Sequence, residues 1–185
     1  MSNDQIVHIV DEDLPVRESL VFLLSACGFS TRVHQTATAF LEVADTLRHS
    51  CLLADFGTAD PDAIELLQRL RERAPKLPVV ILTGQSDVQT TVATMKAGAR
   101  VLQKPCSDEV LIRSIKRVFE EAENRSALIE RRLAARRKIR LLDERELRVL
   151  DAVAAGLPDE LIAHQLGLSS RTVSVCRTTV MTKLK

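Results

Sequence analysis

Asp11, Glu12, Asp55, Thr83 and Lys104 are the residue types that phosphoryl transfer uses, three carboxylates, a hydroxyl and an amine, spread over the first 104 positions of a 185-residue chain. Clustered carboxylates repel one another unless a cation joins them, and Mg²⁺ is held by one or two carboxylates together with waters and phosphate oxygens. Glu12 and Asp55 can hold such an ion. With the charge of an incoming phosphoryl group offset in this way, the Asp55 carboxylate can act as nucleophile and form an acyl phosphate. Lys104 would then pair with the phosphoryl oxygens, and the Thr83 hydroxyl would donate a hydrogen bond to one of them.

Such a site needs a scaffold that gathers residues far apart in sequence. Short apolar runs alternate here with longer amphipathic ones, the pattern of a parallel sheet with crossover helices. Strands are expected at Gln5 to Val10, Thr31 to His34, Cys51 to Ala54, Val79 to Thr83 and Val101 to Lys104. Helical spacing recurs in Val16, Leu20, Leu23 and Cys27 before Gly28, in Ile64, Leu67 and Leu70 after Pro61, and in Val88, Val92 and Met95 before Gly98. The order is βαβαβαβαβ. In a flavodoxin-like winding of this α/β pattern, ligands collect at the carboxyl ends of the strands. Asp11 and Glu12 follow the first strand, Asp55 the third, Thr83 ends the fourth and Lys104 the fifth. Singly, each has a plainer reading: an acidic residue after a strand caps a helix, and Thr is a common strand residue. Four separate strand ends supplying the required types make the set specific.

Composition excludes several other classes. With no Trp or Tyr and 5 Phe, recognition by stacking bases on aromatic rings has little to work with, so single-strand and RNA platforms are disfavoured. Cys27, Cys51, Cys106 and Cys176 form no CxxC pair, which argues against a zinc site or disulfide framework and for reduced cytosolic thiols. The N-terminal residues lack the basic and apolar regions of a signal peptide, and no apolar run approaches a membrane span, so a cytoplasmic location is expected.

Charge divides the chain into three parts. Residues 1–106 carry 10 basic against 13 acidic side chains, residues 107–140 carry 10 against 6, and residues 141–185 carry 6 against 6. The last balance hides an asymmetry: beyond Glu160 only Arg171, Arg177, Lys183 and Lys185 are charged, which leaves a basic face for phosphates. From Ser107 to about Arg140 the chain contains no Pro or Gly and reads as one helix. Leu111, Ile115, Val118 and Ala122 stripe its first half, while its second half is charged, as a solvated connecting helix would be.

Asp143 followed by Glu146 resembles a capping box, opening a helix with Leu147, Leu150 and Val153 on one face and Gly156 at its end. Pro158 starts a second helix with Leu161, Ile162 and Leu166 as apolar positions. Gly167 ends it, and Ser169 caps a third helix reaching about Leu184. Helix, turn at Gly167, helix is the spacing of a helix-turn-helix, and Val173, Val180 and Leu184 are available for packing.

The stretches IVHIVDED, VRESL, LLADF, VVILTGQSD, MKAGA and QKP give residues 5–122 a resemblance to the receiver domain of two-component response regulators. The final 45 residues, with ELRVL, the AGL turn, LSSRTV and the closing KL, resemble the LuxR-type helix-turn-helix of FixJ/NarL-like regulators. The resemblance implies Asp55 as phosphoacceptor, Asp11 and Glu12 as the acidic metal pair completed by Asp55, Thr83 as switch hydroxyl and Lys104 as phosphate contact. It places Ser174, Val175 and Thr178 at base edges of the major groove, with Thr172, Arg177 and Lys183 on phosphates. It implies a sensor histidine kinase as phosphodonor, Mg²⁺ as cofactor, duplex DNA as partner, a homodimer, and no catalysis beyond self-phosphorylation and autodephosphorylation.

The chain departs from the family pattern in places. Thr58, Ala59 and Ala63 stand where Met, Pro and Gly are usual, Val101 stands at the aromatic switch position, Cys106 replaces a frequent Phe, and Cys176 a frequent His. The expected domains are 1–122 receiver, 123–140 helical linker and 141–185 DNA-binding, the last truncated before the family's fourth helix. Two rival readings stay open. One is a regulator independent of phosphorylation that uses its receiver as an adaptor. The other is an Asp-nucleophile phosphatase, which Gly57 disfavours because such enzymes place a second Asp there.

Overall fold

The computed structural model describes residues 5–56, 63–84 and 88–184. Strands β1 (Ile6–Val10), β2 (Ser30–His34), β3 (Ser50–Phe56), β4 (Val79–Thr83) and β5 (Arg100–Gln103) form one sheet in the order β2-β1-β3-β4-β5, with every pairing parallel. This is the flavodoxin-like order, and its winding reverses between β1 and β3. The central strands are apolar on both faces because helices cover both. Val7, Ile9, Cys51, Leu53, Val80 and Leu82 enter one core, while Val10, Leu52, Ala54, Val79 and Ile81 enter the other.

The first core is closed by α1 (Leu14–Ala26) and by α5 (Asp108–Ile139) through Leu111, Ile115, Val118 and Phe119. The second is closed by α2 (Ala37–Leu41) and α3 (Ala63–Arg73), with Phe40, Leu66, Leu67 and Leu70 buried. Helix α1 starts where the Asp13 side chain accepts the Val16 N–H at 3.1 Å. Its buried face is Arg17, Leu20 and Leu24 rather than the expected stripe, and Cys27 is exposed. The helix is turned so that Arg17 reaches a carbonyl of the β1–α1 loop.

Helix α4 (Val88–Lys96) leads to Gly98, whose φ of 87° and close neighbour both favour glycine. The Arg71 guanidinium donates to the Ala97 and Gly98 carbonyls at 3.0 Å each, and a Cβ at position 98 would lie 2.6 Å from it. The substitutions at Thr58 and Ala59, and the features at Gly57 and Pro61, lie outside the described residues; Ala63 opens α3.

The chain divides into two compact units at Asn124/Arg125, within α5. The second contains α6 (Glu144–Ala154), α7 (Asp159–Leu166) and α8 (Ser170–Leu184) around Val149, Ile162, Ala163 and Val173. Glu146 and Val149 are the buried residues of α6, whereas Leu147 and Leu150 are only partly covered. On α7 Ile162 is buried and Leu161 is exposed. Gly167 takes the left-handed conformation, φ 65°, that turns the chain from α7 into α8. Among the described residues no helix is long and apolar enough to cross a membrane.

Candidate phosphoacceptor site and DNA-binding face

Strand register gathers the acidic site. Val10 pairs with Ala54, so Asp11 and Asp55 emerge on neighbouring strands; Phe56 pairs with Thr83, and Thr83 with Gln103, the residue before Lys104. The Lys104 N–H donates to the Thr83 carbonyl at 2.7 Å, and its ammonium forms an ion pair with Asp55 Oδ2. Asp55, Thr83 and Lys104 are partly covered, and the Glu12 side chain is exposed.

Asp11 is the buried member, 4% exposed. Its Oδ1 accepts the Asp13 N–H at 2.8 Å, and its carbonyl accepts the Arg17 guanidinium at 2.5 Å. Its Oδ2 is buried and accepts no hydrogen bond among the described residues. Burial first, and then the Asp55 carboxylate beside it, push the Asp11 pKa up, against the pull of the Asp13 N–H and of Lys104. Two facing carboxylates, one with a buried unsatisfied oxygen, fit a hard cation that brings its own waters. Among the described residues no group of three or more His, Cys, Asp or Glu side chains is placed to hold a metal ion, so the donors drawn together here are the Asp11 and Asp55 carboxylates. The donor set is open, as Mg²⁺ sites that also take a phosphate are.

Arg17 was not legible as part of this site from residue type alone. It does leave a signal in the sequence, since a cation at helical spacing with Leu20 and Leu24 lies on a face that should be apolar. The buried His8 and the partly covered His34 form a second polar group. Their rings are joined by a hydrogen bond of 3.0 Å between His8 Nδ1 and His34 Nε2, and both pack on Phe40. Burial, then His34 and Arg32, lower the His8 pKa to about 4.

In the second unit, α8 is capped by Ser169, whose hydroxyl accepts the Thr172 N–H at 3.1 Å. Val173 and Val180 pack inward; Ser174, Val175, Arg177 and Thr178 are exposed, Val175 at 61%. An exposed Val flanked by small hydroxyl residues suits a groove-reading face. Arg177 donates to Asp159 at 2.8 Å in an exposed pair. Lys183 is engaged differently. Its ammonium donates to both Glu146 carboxylate oxygens at 2.7 Å, and Glu146 is 5% exposed. Asp143 and Glu146 complete the expected capping box, with both hydrogen bonds at 2.8 Å.

Comparison with known proteins agrees with this division of labour. Residues 7–116 match the response regulator receiver domain, and residues 140–185 match the bacterial regulatory proteins of the luxR family. The chain belongs to the response regulators, and joins a receiver to a LuxR-type DNA-binding domain as a phosphorylation-controlled transcriptional regulator of the two-component class. Among its relatives is the transcriptional regulatory protein FixJ of Rhizobium meliloti, 42% identical over 98% of this chain and 90% of the relative. FixJ of Azorhizobium caulinodans is 36% identical over 97% of this chain and 85% of its own length. Full-length FixJ from B. japonicum superposes with a TM-score of 0.64 at 34% identity, covering 97% and 89% of the two chains. The response regulator StyR gives 0.74 at 33% identity, covering 97% and 91%.

Proposed function

We propose that Asp55 is the phosphoacceptor. Its carboxylate oxygen attacks the phosphorus of a phosphohistidine on the partner kinase, the P–N bond breaks, and the histidine nitrogen leaves as an acyl phosphate forms. The observation that carries this is the pairing of Asp55 with Lys104 beside the unsatisfied Asp11 Oδ2. Lys104 exchanges its contact with Asp55 Oδ2 for the phosphoryl oxygens, and Thr83 donates its hydroxyl to one of them. Asp11, Asp55 and the exposed Glu12 would hold Mg²⁺, which would offset the charge of the phosphoryl group. Hydrolysis of this acyl phosphate is the only other chemistry. On α8, Ser174, Val175 and Thr178 read base edges while Thr172 and Arg177 fix the helix on phosphates. The working form is a cytoplasmic homodimer, because a single module of this size buries too little DNA surface for tight binding.

The test is incubation of the full chain with Mg²⁺ and acetyl phosphate. The wild type should gain the mass of one phosphoryl group, and Asp55→Asn should gain none. An unchanged wild-type mass, or equal gain by Asp55→Asn, sinks the assignment.

A further inference from the structure

Lys183 stands among cations that would suit phosphate contacts, yet its chemistry is already committed. An ammonium has three donors and no acceptor. Two of the Lys183 donors go to Glu146 Oε1 and Oε2 at 2.7 Å, and the third points to the Leu141 carbonyl at 3.4 Å. Glu146 is itself buried, and its Oε2 also accepts the Asp143 N–H at 2.8 Å. Nearby, Lys138 donates to the Leu184 carbonyl at 2.8 Å. The last turn of α8 is thereby fastened to the end of α5 and the first turn of α6. Arg177 differs, since its partner Asp159 is more open and its pair is exposed.

Resting on the reading that this unit binds duplex DNA, we propose that Lys183 makes no phosphate contact. Lys183 and Glu146 are instead a positioning pair. They set the angle of α8 on α6 and so the aim of Ser174, Val175 and Thr178. A lysine neutralised by a buried carboxylate and with its donors used has little to offer a phosphate, whereas a bidentate pair fixes a helix in angle as well as in distance. The position three residues beyond the buried Val180 gives the pair its leverage, because it joins the α8 end opposite the base-reading residues.

The experiment uses the full chain and a duplex it selects from a random pool, with a scrambled duplex for comparison. Affinity for both is measured across salt concentrations for wild type, Lys183→Met, Lys183→Arg and Glu146→Gln. Lys183→Met and Glu146→Gln should each weaken the selected duplex about tenfold, leave the scrambled duplex within about twofold, and keep the wild-type salt slope. Lys183→Arg should restore most of the selectivity, because a guanidinium can make the same bidentate pair.

Three results overturn the proposal. One is uniform weakening of both duplexes by Lys183→Met with a salt slope smaller by about 0.9, the mark of a lost phosphate contact. Another is tighter binding by Glu146→Gln, which would mean that Lys183 had been withheld from DNA. The third is a lowered melting temperature with unchanged selectivity, which would make the pair a stabiliser only. If a single variant fails to fold, the Glu146→Gln/Lys183→Met double variant leaves no uncompensated charge, and its ratio of selected to scrambled affinity is judged in the same way. Failure of the wild type to select any duplex sinks the DNA-binding reading first, a result separate from these.

Discussion

Two buried carboxylates, Asp11 in the receiver and Glu146 in the helix-turn-helix unit, are excluded from water to nearly the same degree, 4% and 5% exposed. Their surroundings are opposite. Glu146 accepts a backbone N–H and a bidentate ammonium, so both its oxygens are used. Asp11 faces another carboxylate and keeps one oxygen without a hydrogen-bond partner among the described residues. A satisfied buried charge holds a shape, and an unsatisfied one holds a binding capacity. Under the proposed function, the receiver changes when a cation and a phosphoryl group arrive, whereas the DNA-binding unit keeps its angle.

The contrast breaks most readily at Lys183. Its replacement by Met leaves Glu146 buried and unpaired, which should cost about 3 kcal/mol, at the low end for such pairs because Lys183 is 37% exposed. Denaturant titration of the full chain followed by circular dichroism would register this as earlier unfolding of the C-terminal unit.

His8 tests the same idea in the receiver, since its Nδ1 is engaged by His34 while its buried Nε2 has no hydrogen-bond partner among the described residues. Its pKa is lowered from 6.5 to about 4, so between those values the unfolded chain binds the proton that the folded chain refuses. Stability is therefore fully present above the unfolded value and is lost as pH falls toward the folded one. Receiver stability should drop by about 2 kcal/mol from pH 7 to pH 5, and a His8→Gln chain should show a flatter profile. An unchanged pH dependence in that variant would remove His8 as the cause.

Asp11→Asn sharpens the comparison with the smallest change. Removing one of two facing carboxylates relieves like-charge repulsion and should raise receiver stability without Mg²⁺ by about 1 kcal/mol. The same variant should lose most of the added stability that millimolar Mg²⁺ gives the wild type. Melting curves with and without the ion measure both, and a variant stabilised by Mg²⁺ as strongly as wild type would place the cation elsewhere.

Much of this molecule was legible in its sequence for local reasons. Apolar runs buried on two faces read as parallel strands, and the absence of Pro and Gly from residue 107 to residue 140 read as one helix, found as Asp108–Ile139. Asp143 and Glu146 read as a capping box because both partners lie within one turn. The receiver residues read as a site because each follows or ends a strand, and parallel winding brings such ends together.

Only the tertiary structure decided where charge is satisfied. Arg17 is buried because its guanidinium reaches the Asp11 carbonyl, and that rotates the covered face of α1 away from the purely apolar stripe. Glu146 displaces Leu147 from the inner face of α6 because Lys183, 37 residues later in sequence, returns to it. Periodicity counts apolar side chains along one element, so it cannot see a charge whose partner arrives from another. The types and order of the functional residues are written in the sequence; which of them stay open for cation, phosphoryl group or DNA is set by packing between elements.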